Sequence, residues 1–159
     1  MKWSPSIYRS RVDRQWIDYN GHLRDAYYTL VFSHAIDALM DELGLDAACR
    51  ARTDCTLYTL EMHVHYLHEV MESDDISVST RVIASDAKRL HLGLAMNCPR
   101  HADPVALAEF MLLHVQQGSS PRSAVFPAAI QQRLEEWQAS QQEAPAASPG
   151  SRRMELGRR

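Results

Sequence analysis

Cysteine is scarce in this chain, and the three present, Cys49, Cys55 and Cys98, have neither metal-ligand spacing nor an even count for a disulfide framework. They read as reduced thiols, so the expected compartment is the cytoplasm. Charge excess is also missing. A formal net charge of −3 over 159 residues gives no basic footprint, and nucleic acid is not an expected partner. No apolar run approaches the roughly 18–20 residues that a membrane span requires. The opening Met1-Lys2-Trp3-Ser4-Pro5 has no apolar core of the signal-peptide kind. No internal repeat is found.

What is there is an ordinary globular composition, 45% apolar and 23% charged. Residues 1–138 read as one domain. From Ala139 to Arg159 the chain turns rich in Ala, Gln, Ser, Pro and Arg, which reads as a flexible tail. Between Arg24 and Leu43, the residues Tyr28, Val31, Phe32, Ala35, Ile36, Leu39, Met40 and Leu43 recur at helical spacing. Asp25 offers a carboxylate to the helix start, and Gly44 stands where a left-handed cap is wanted. Such a helix is about 30 Å long.

Four later segments carry period-two alternation. In Leu57–Glu69 one face holds Tyr58, Leu60, Met62, Val64 and Tyr66, and the other Glu61, His63 and His65. Ile76–Ala84, Lys88–Cys98 and Val105–Val115 follow, the last apolar on both faces. Ile7–Ile17 is a fifth strand, and Pro127–Trp137 a short closing helix. The order predicts an α+β fold: one long helix wrapped by a five-stranded antiparallel sheet. Five strands cannot cover that helix on all sides. A homodimer is therefore expected, the sheet continuing through an edge strand, with a tetramer of two such dimers left open.

The chemistry-bearing stretch lies between the first strand and the long helix: Trp16-Ile17-Asp18-Tyr19-Asn20-Gly21-His22-Leu23-Arg24-Asp25-Ala26-Tyr27-Tyr28. It sets a carboxylate, a carboxamide and an imidazole at alternating positions on a glycine-containing loop that feeds a helix N-terminus. Free N–H groups and a partial positive charge gather at such an end. These are the parts that acyl transfer needs. The same residue types also serve as caps and turns, and composition alone does not choose.

The stretch resembles the signature of hotdog-fold thioesterases of the 4-hydroxybenzoyl-CoA thioesterase type: an Asp, two variable residues, a Gly often followed by His, then a Tyr in the helix. Asp18, Gly21, His22 and Tyr28 match it. Asp18, Asn20 and His22 also match the Asp-x-Asn-x-His pattern of plant acyl-carrier thioesterases. The run Trp-x-Asp-Tyr-Asn-Gly-His is similar to that of the betainyl-CoA thioesterase group of carnitine degradation, including domains fused to carnitine dehydrogenase. By element order the likeness covers about residues 8–120.

The resemblance implies an acyl-CoA thioesterase acting on a small acyl-CoA, with no cofactor. Asp18 is then the nucleophile or the general base. Asn20 positions water or the carboxylate, and His22 assists at the thioester or the leaving thiolate. The N–H near Asp25 polarises the carbonyl, although many relatives carry Asn there. Tyr66-Leu67-His68-Glu69-Val70 resembles a plant-enzyme segment with a functional Glu. Simple alternation, however, sets Glu69 on the face of Glu61, His63 and His65, so a bulge is needed to turn it inward.

Lys88 and Arg89 are the candidates for the phosphates of CoA. Trp16, Tyr19, Tyr27, Tyr28 and Tyr58 cluster around the motif in this reading, as core or as a wall for the acyl group; a quaternary cation would be drawn to such rings. Glu61, His63 and His65 lack a further fixed ligand, so no metal is expected. His68 and His91 read as surface. The rival is a hotdog protein that binds acyl-CoA or an acyl carrier without hydrolysis. The intact Asp18, Asn20 and His22 argue against it, and no dehydratase motif is found.

Overall fold

The computed structural model describes residues 6–141. Helix α1 runs Asp25–Leu43, and its buried residues are the eight that the helical spacing marked. Burying each large aliphatic or aromatic side chain of that stripe contributes about 1.5–3 kcal/mol. Gly44 closes the helix at φ +89, a left-handed turn in which any side chain would be strained. Arg133 completes the cap from helix α3 (Ala128–Ser140), donating from Nη1 to the carbonyls of Glu42 and Leu43 at 3.0 and 2.8 Å.

The strands are β1 (Ser6–Arg11), β2 (Cys55–Tyr66), β3 (Asp75–Ser85), β4 (Arg89–Asn97), β5 (Ala106–Gln116) and the two-residue β6 (Arg122–Ser123). All pairings are antiparallel, in the order β1-β3-β4-β5-β2, with β6 added on β5. The face that holds Phe110 packs on α1, where Phe110 meets Phe32 edge-on with ring centroids 6.4 Å apart. This is the α+β hotdog arrangement, with one short strand more than expected. Two edges remain, β1 and β2.

Three further elements, besides β6 and the longer α3, differ from their sequence readings. The first strand stops at Arg11, because Asp13 accepts from the Gln15 N–H and turns the chain into a single 3₁₀ turn, Arg14–Trp16. A second helix, α2 (Ala47–Thr53), is capped by Asp46, whose Oδ1 accepts from the Cys49 N–H at 2.8 Å. In β2 the register shifts between Thr59 and Glu61, so Leu60 is the extra residue of a bulge.

The bulge reverses the faces. Met62, Val64 and Tyr66 pair with Phe110, Ala108 and Ala106 on the helix side, whereas Tyr58 pairs with Leu113 on the outer side. Tyr58 is therefore not on the face of Met62 and lies away from the motif. Edge strand β2 leaves Tyr58, Leu60, Met62 and Tyr66 more than a third exposed.

At the other end of the chain, α3 continues past residue 138, and Gln141 is buried, its Oε1 accepting from the Val82 N–H at 2.9 Å. The rest of the expected tail, 142–159, lies outside the described residues. Among the described residues no helix is long and apolar enough to cross a membrane, and Cys49, Cys55 and Cys98 are free thiols.

Candidate active site

The chain from Ile17 to Leu23 folds into a tight hairpin, closed by a bridge between those two residues. The Asp18 N–H donates to the His22 carbonyl at 2.8 Å, and the Gly21 N–H donates back to the Asp18 carbonyl at 3.1 Å. Gly21 has φ +80, and nothing stands within 4 Å of where a Cβ would be. Glycine is required there by backbone conformation rather than by crowding. The Asp18 carboxylate is fixed from within the loop, Oδ1 accepting from the Asn20 and His22 N–H groups at 2.8 and 3.2 Å. Its second oxygen makes no bond among the described residues.

The hairpin is pinned on both sides. The Arg24 N–H donates to the Trp16 carbonyl, and Trp16 stacks on Tyr27 of the first helical turn at 5.7 Å and 16°. The Leu23 N–H donates to the Val70 carbonyl at 2.7 Å, and His22 bridges to Met71. These contacts lay the hairpin against the segment after β2, which carries Glu69.

That segment is held in turn by three anchors. Tyr28 Oη donates to the His68 carbonyl at 3.1 Å. His101 Nε2 donates to the Glu69 carbonyl at 3.1 Å, which fixes its tautomer since a carbonyl only accepts. Asp74 accepts from the Met71 N–H and pairs with Arg100 at 2.6 Å. The Arg100 hydrogen bond holds the Asp74 carboxyl below its usual range.

An open cleft of ≈ 400 Å³ forms where hairpin, helix start and this segment meet. Asp18, His22 and Asp25 from the hairpin and helix start, Tyr28 from the same helix, and Tyr66, His68 and Glu69 from the end of β2 and beyond line it. Glu69 is past the end of β2, so no strand alternation applies to it, and it reaches the cleft without the bulge that the sequence demanded of it. Its carboxyl is held below the usual range, first by its own backbone N–H and then by the imidazoles of His101, His22 and His68. Burial pushes the Tyr28 phenol up to about 12, so it remains a proton donor at any working pH.

At the helix start, Ala26 N–H donates to Asp25 Oδ1 and Tyr27 N–H to the Arg24 carbonyl, both at 2.9 Å. The Asp25 N–H has no protein acceptor among the described residues. A carboxylate, an imidazole and a helix-end N–H around one cleft can activate water, steady a developing oxyanion and return a proton to a leaving group.

The other sequence candidates are placed elsewhere. Tyr19 and Asn20 form the hairpin tip, Tyr19 being 93% exposed, and neither lines the cleft; nor does Gly21. Lys88 and Arg89 stand at the far end of β4. Lys88 Nζ donates to Ser123 Oγ at 3.2 Å, and Arg89 pairs with Asp86 at 2.6 Å. Glu61 and His63 pair with each other on the outer face at 2.9 Å, where His91 approaches Glu109 at 3.7 Å.

Three cleft-side groups were not marked by the sequence. Tyr66 counted only as strand apolar surface. His68 read as surface, and His101, stacked on His68 at 4.7 Å, gave no signal.

The family model of the thioesterase-like superfamily matches residues 12–134, and so spans the hairpin, the helix and the whole cleft. The chain belongs to the thioesterase-like superfamily. Among curated proteins, this thioesterase is 46% identical over 130 residues to the betainyl-CoA thioesterase of Pseudomonas aeruginosa, covering 82% of this chain and 81% of that protein. It is 37% identical over 139 residues to the L-carnitine dehydrogenase/betainyl-CoA thioesterase of Agrobacterium fabrum. There it covers 87% of this chain but only 28% of the longer protein.

Among solved structures, a candidate thioesterase from Pseudomonas putida KT2440 superposes with a TM-score of 0.86 at 39% identity, over 98% of this chain and 99% of that one. A Staphylococcus aureus protein solved in complex with CoA gives 0.81 at 28% identity, over 88% and 87%.

Proposed function

We propose that this thioesterase hydrolyses betainyl-CoA to betaine and CoA. The single observation that carries the reading is the 46% identity, over four-fifths of both chains, to a betainyl-CoA thioesterase. The cleft supports it, since its wall combines tyrosine rings with the carboxylates of Asp18, Asp25 and Glu69.

In this reading the Asp25 N–H polarises the thioester carbonyl. The Asp18 carboxylate either takes a proton from water as it attacks the carbonyl carbon or attacks that carbon itself. In the second route an anhydride forms and water then cleaves it. Either route expels CoA thiolate, and a proton from water or from His22 converts it to the thiol. Glu69 lines the same cleft and would share the base role. Asn20 and Gly21 shape the loop and do not touch the acyl group.

The protein is a cytoplasmic homodimer on this reading. Strand β2 ends its sheet, and Tyr58, Leu60 and Met62 leave an apolar edge that invites a second copy. Pairing there would leave Tyr66, at the strand's last position, on the cleft. Two 18.1 kDa chains should then elute together in light-scattering chromatography, and Leu60→Lys should release single chains.

The activity itself is tested by thiol release across a panel of acetyl-, butyryl-, benzoyl- and betainyl-CoA. Betainyl-CoA should give the highest kcat/KM. A neutral acyl group that matches it would overturn the substrate assignment.

A further inference from the structure

Tyr66 stands at the last position of β2, where the strand's helix-side face opens into the cleft. Its ring meets that of Tyr28 at 5.2 Å and 89°. Its hydroxyl donates to the Asp25 carbonyl at 3.3 Å, which tethers the ring beside the first turn of α1. Tyr28 is 4% exposed and Tyr66 51%, so Tyr66 is the ring of the pair with a face open to a guest. The Asp25 and Glu69 carboxylates line the same cleft, and among the described residues neither lysine nor arginine does.

A CoA thioester is polyanionic, and such a wall disfavours it unless the acyl end carries positive charge. A quaternary ammonium has no N–H to donate. Hydrogen bonds cannot select it, and what remains is the field of carboxylates and the negative face of an aromatic ring.

We infer that Tyr66 is the specificity-determining residue of the cleft, its ring and the Asp25 carboxylate together holding the quaternary ammonium group of the acyl moiety. This rests on the betainyl-CoA reading. A tert-butyl group has the shape of trimethylammonium without its charge, so 3,3-dimethylbutanoyl-CoA fits the same space and forfeits the attraction.

The experiment measures kcat/KM for betainyl-CoA and for 3,3-dimethylbutanoyl-CoA and reads their ratio. The ratio isolates charge recognition, because a structural defect slows both substrates alike. In Tyr66→Leu, which keeps the bulk and removes the ring, the ratio should fall about tenfold. In Tyr66→Phe, which keeps the ring, most of it should persist. Asp25 is exposed, so Asp25→Asn carries the same test without disturbing packing, and there the ratio should drop several-fold.

A ratio unchanged in both Tyr66→Leu and Asp25→Asn overturns the inference and leaves the betainyl-CoA assignment standing. A wild-type ratio near one overturns that assignment, and the inference falls with it.

Discussion

On the proposed mechanism Asp18 carries two separable duties, and the structure allows them to be removed one at a time. Its Oδ1 accepts the Asn20 and His22 N–H groups and so holds the hairpin in shape. Its negative charge, exerted through the other oxygen, is available for chemistry. Asp18→Asn retains an acceptor at the Oδ1 position and removes the charge. Asp18→Ala removes both.

Each loop bond contributes on the order of 1 kcal/mol, since the loop is only half-buried and water replaces part of what is lost. The alanine variant should therefore be destabilised by about 2 kcal/mol, which lowers the melting temperature by about 4–8 °C for a chain of this size. The asparagine variant loses only the charge-assisted share and should melt within about 3 °C of wild type. Activity should not follow this order. Loss of a general base or nucleophile costs roughly 10²–10⁴ in rate, so both variants should lose kcat alike.

Thermal melts followed by fluorescence, paired with a chromogenic thiol-release assay on betainyl-CoA, separate the two duties. An Asp18→Asn enzyme that keeps more than a tenth of wild-type kcat would refute the catalytic role. A rate that tracks melting temperature across the two variants would mean that Asp18 matters only as a loop staple.

Two further outcomes are expected from the same local physics. Gly21→Ala meets no atom within 4 Å but must adopt φ +80, costing about 1–2 kcal/mol. Asn tolerates that region better, so Gly21→Asn should melt higher than Gly21→Ala, and equal melting would show that φ is not the constraint. In the turn between β3 and β4, the Asp86 carboxyl is held down to about 2, below its ordinary value of 3.8, first by the Lys88 N–H and then by the Arg89 side chain. A depressed folded value stabilises above the unfolded pKa and is lost as pH falls through the folded one. Asp86→Asn should therefore melt below wild type at neutral pH, with the gap closing between about pH 4 and pH 2. A gap that stays constant across that window would remove Asp86 from the ledger of acid stability.

The parts of this molecule that were legible in its sequence are those governed by one unbroken local period. The stripe of α1 is one such case: eight apolar positions at helical spacing are the eight that the sheet buries. The glycine-containing loop before the helix was legible for a related reason, though not its closure as a hairpin. Asp18, Gly21 and His22 are joined by bonds no more than four residues long, so the loop's chemistry and its shape arise from the same few side chains.

Legibility failed where a period broke or a contact was long-range. One inserted residue, Leu60, moved Tyr58 to the outer face, and counting by twos cannot register an insertion. Counting on past Tyr66 likewise pointed Glu69 the wrong way, since the strand had already ended. Lys88 and Arg89 stand at the other end of β4 from the cleft, beside Ser123 and Asp86, a placement that their charge alone could not convey.

His101 lies 32 residues from the carbonyl that it holds, and only the fold brings it there. The cleft is accordingly a junction of two kinds of information. A short motif supplies the carboxylate and the helix-end N–H, both readable in the chain. The opposite wall, Tyr66 through Glu69 with His101 behind it, exists only because β2 runs beside β5 and releases the chain at that point. If the Tyr66 inference holds, selectivity among acyl groups is shared between that second wall and the Asp25 carboxylate. A chain can therefore carry the hairpin motif intact and still choose a different substrate, and residues 66–69 are where such divergence should be sought.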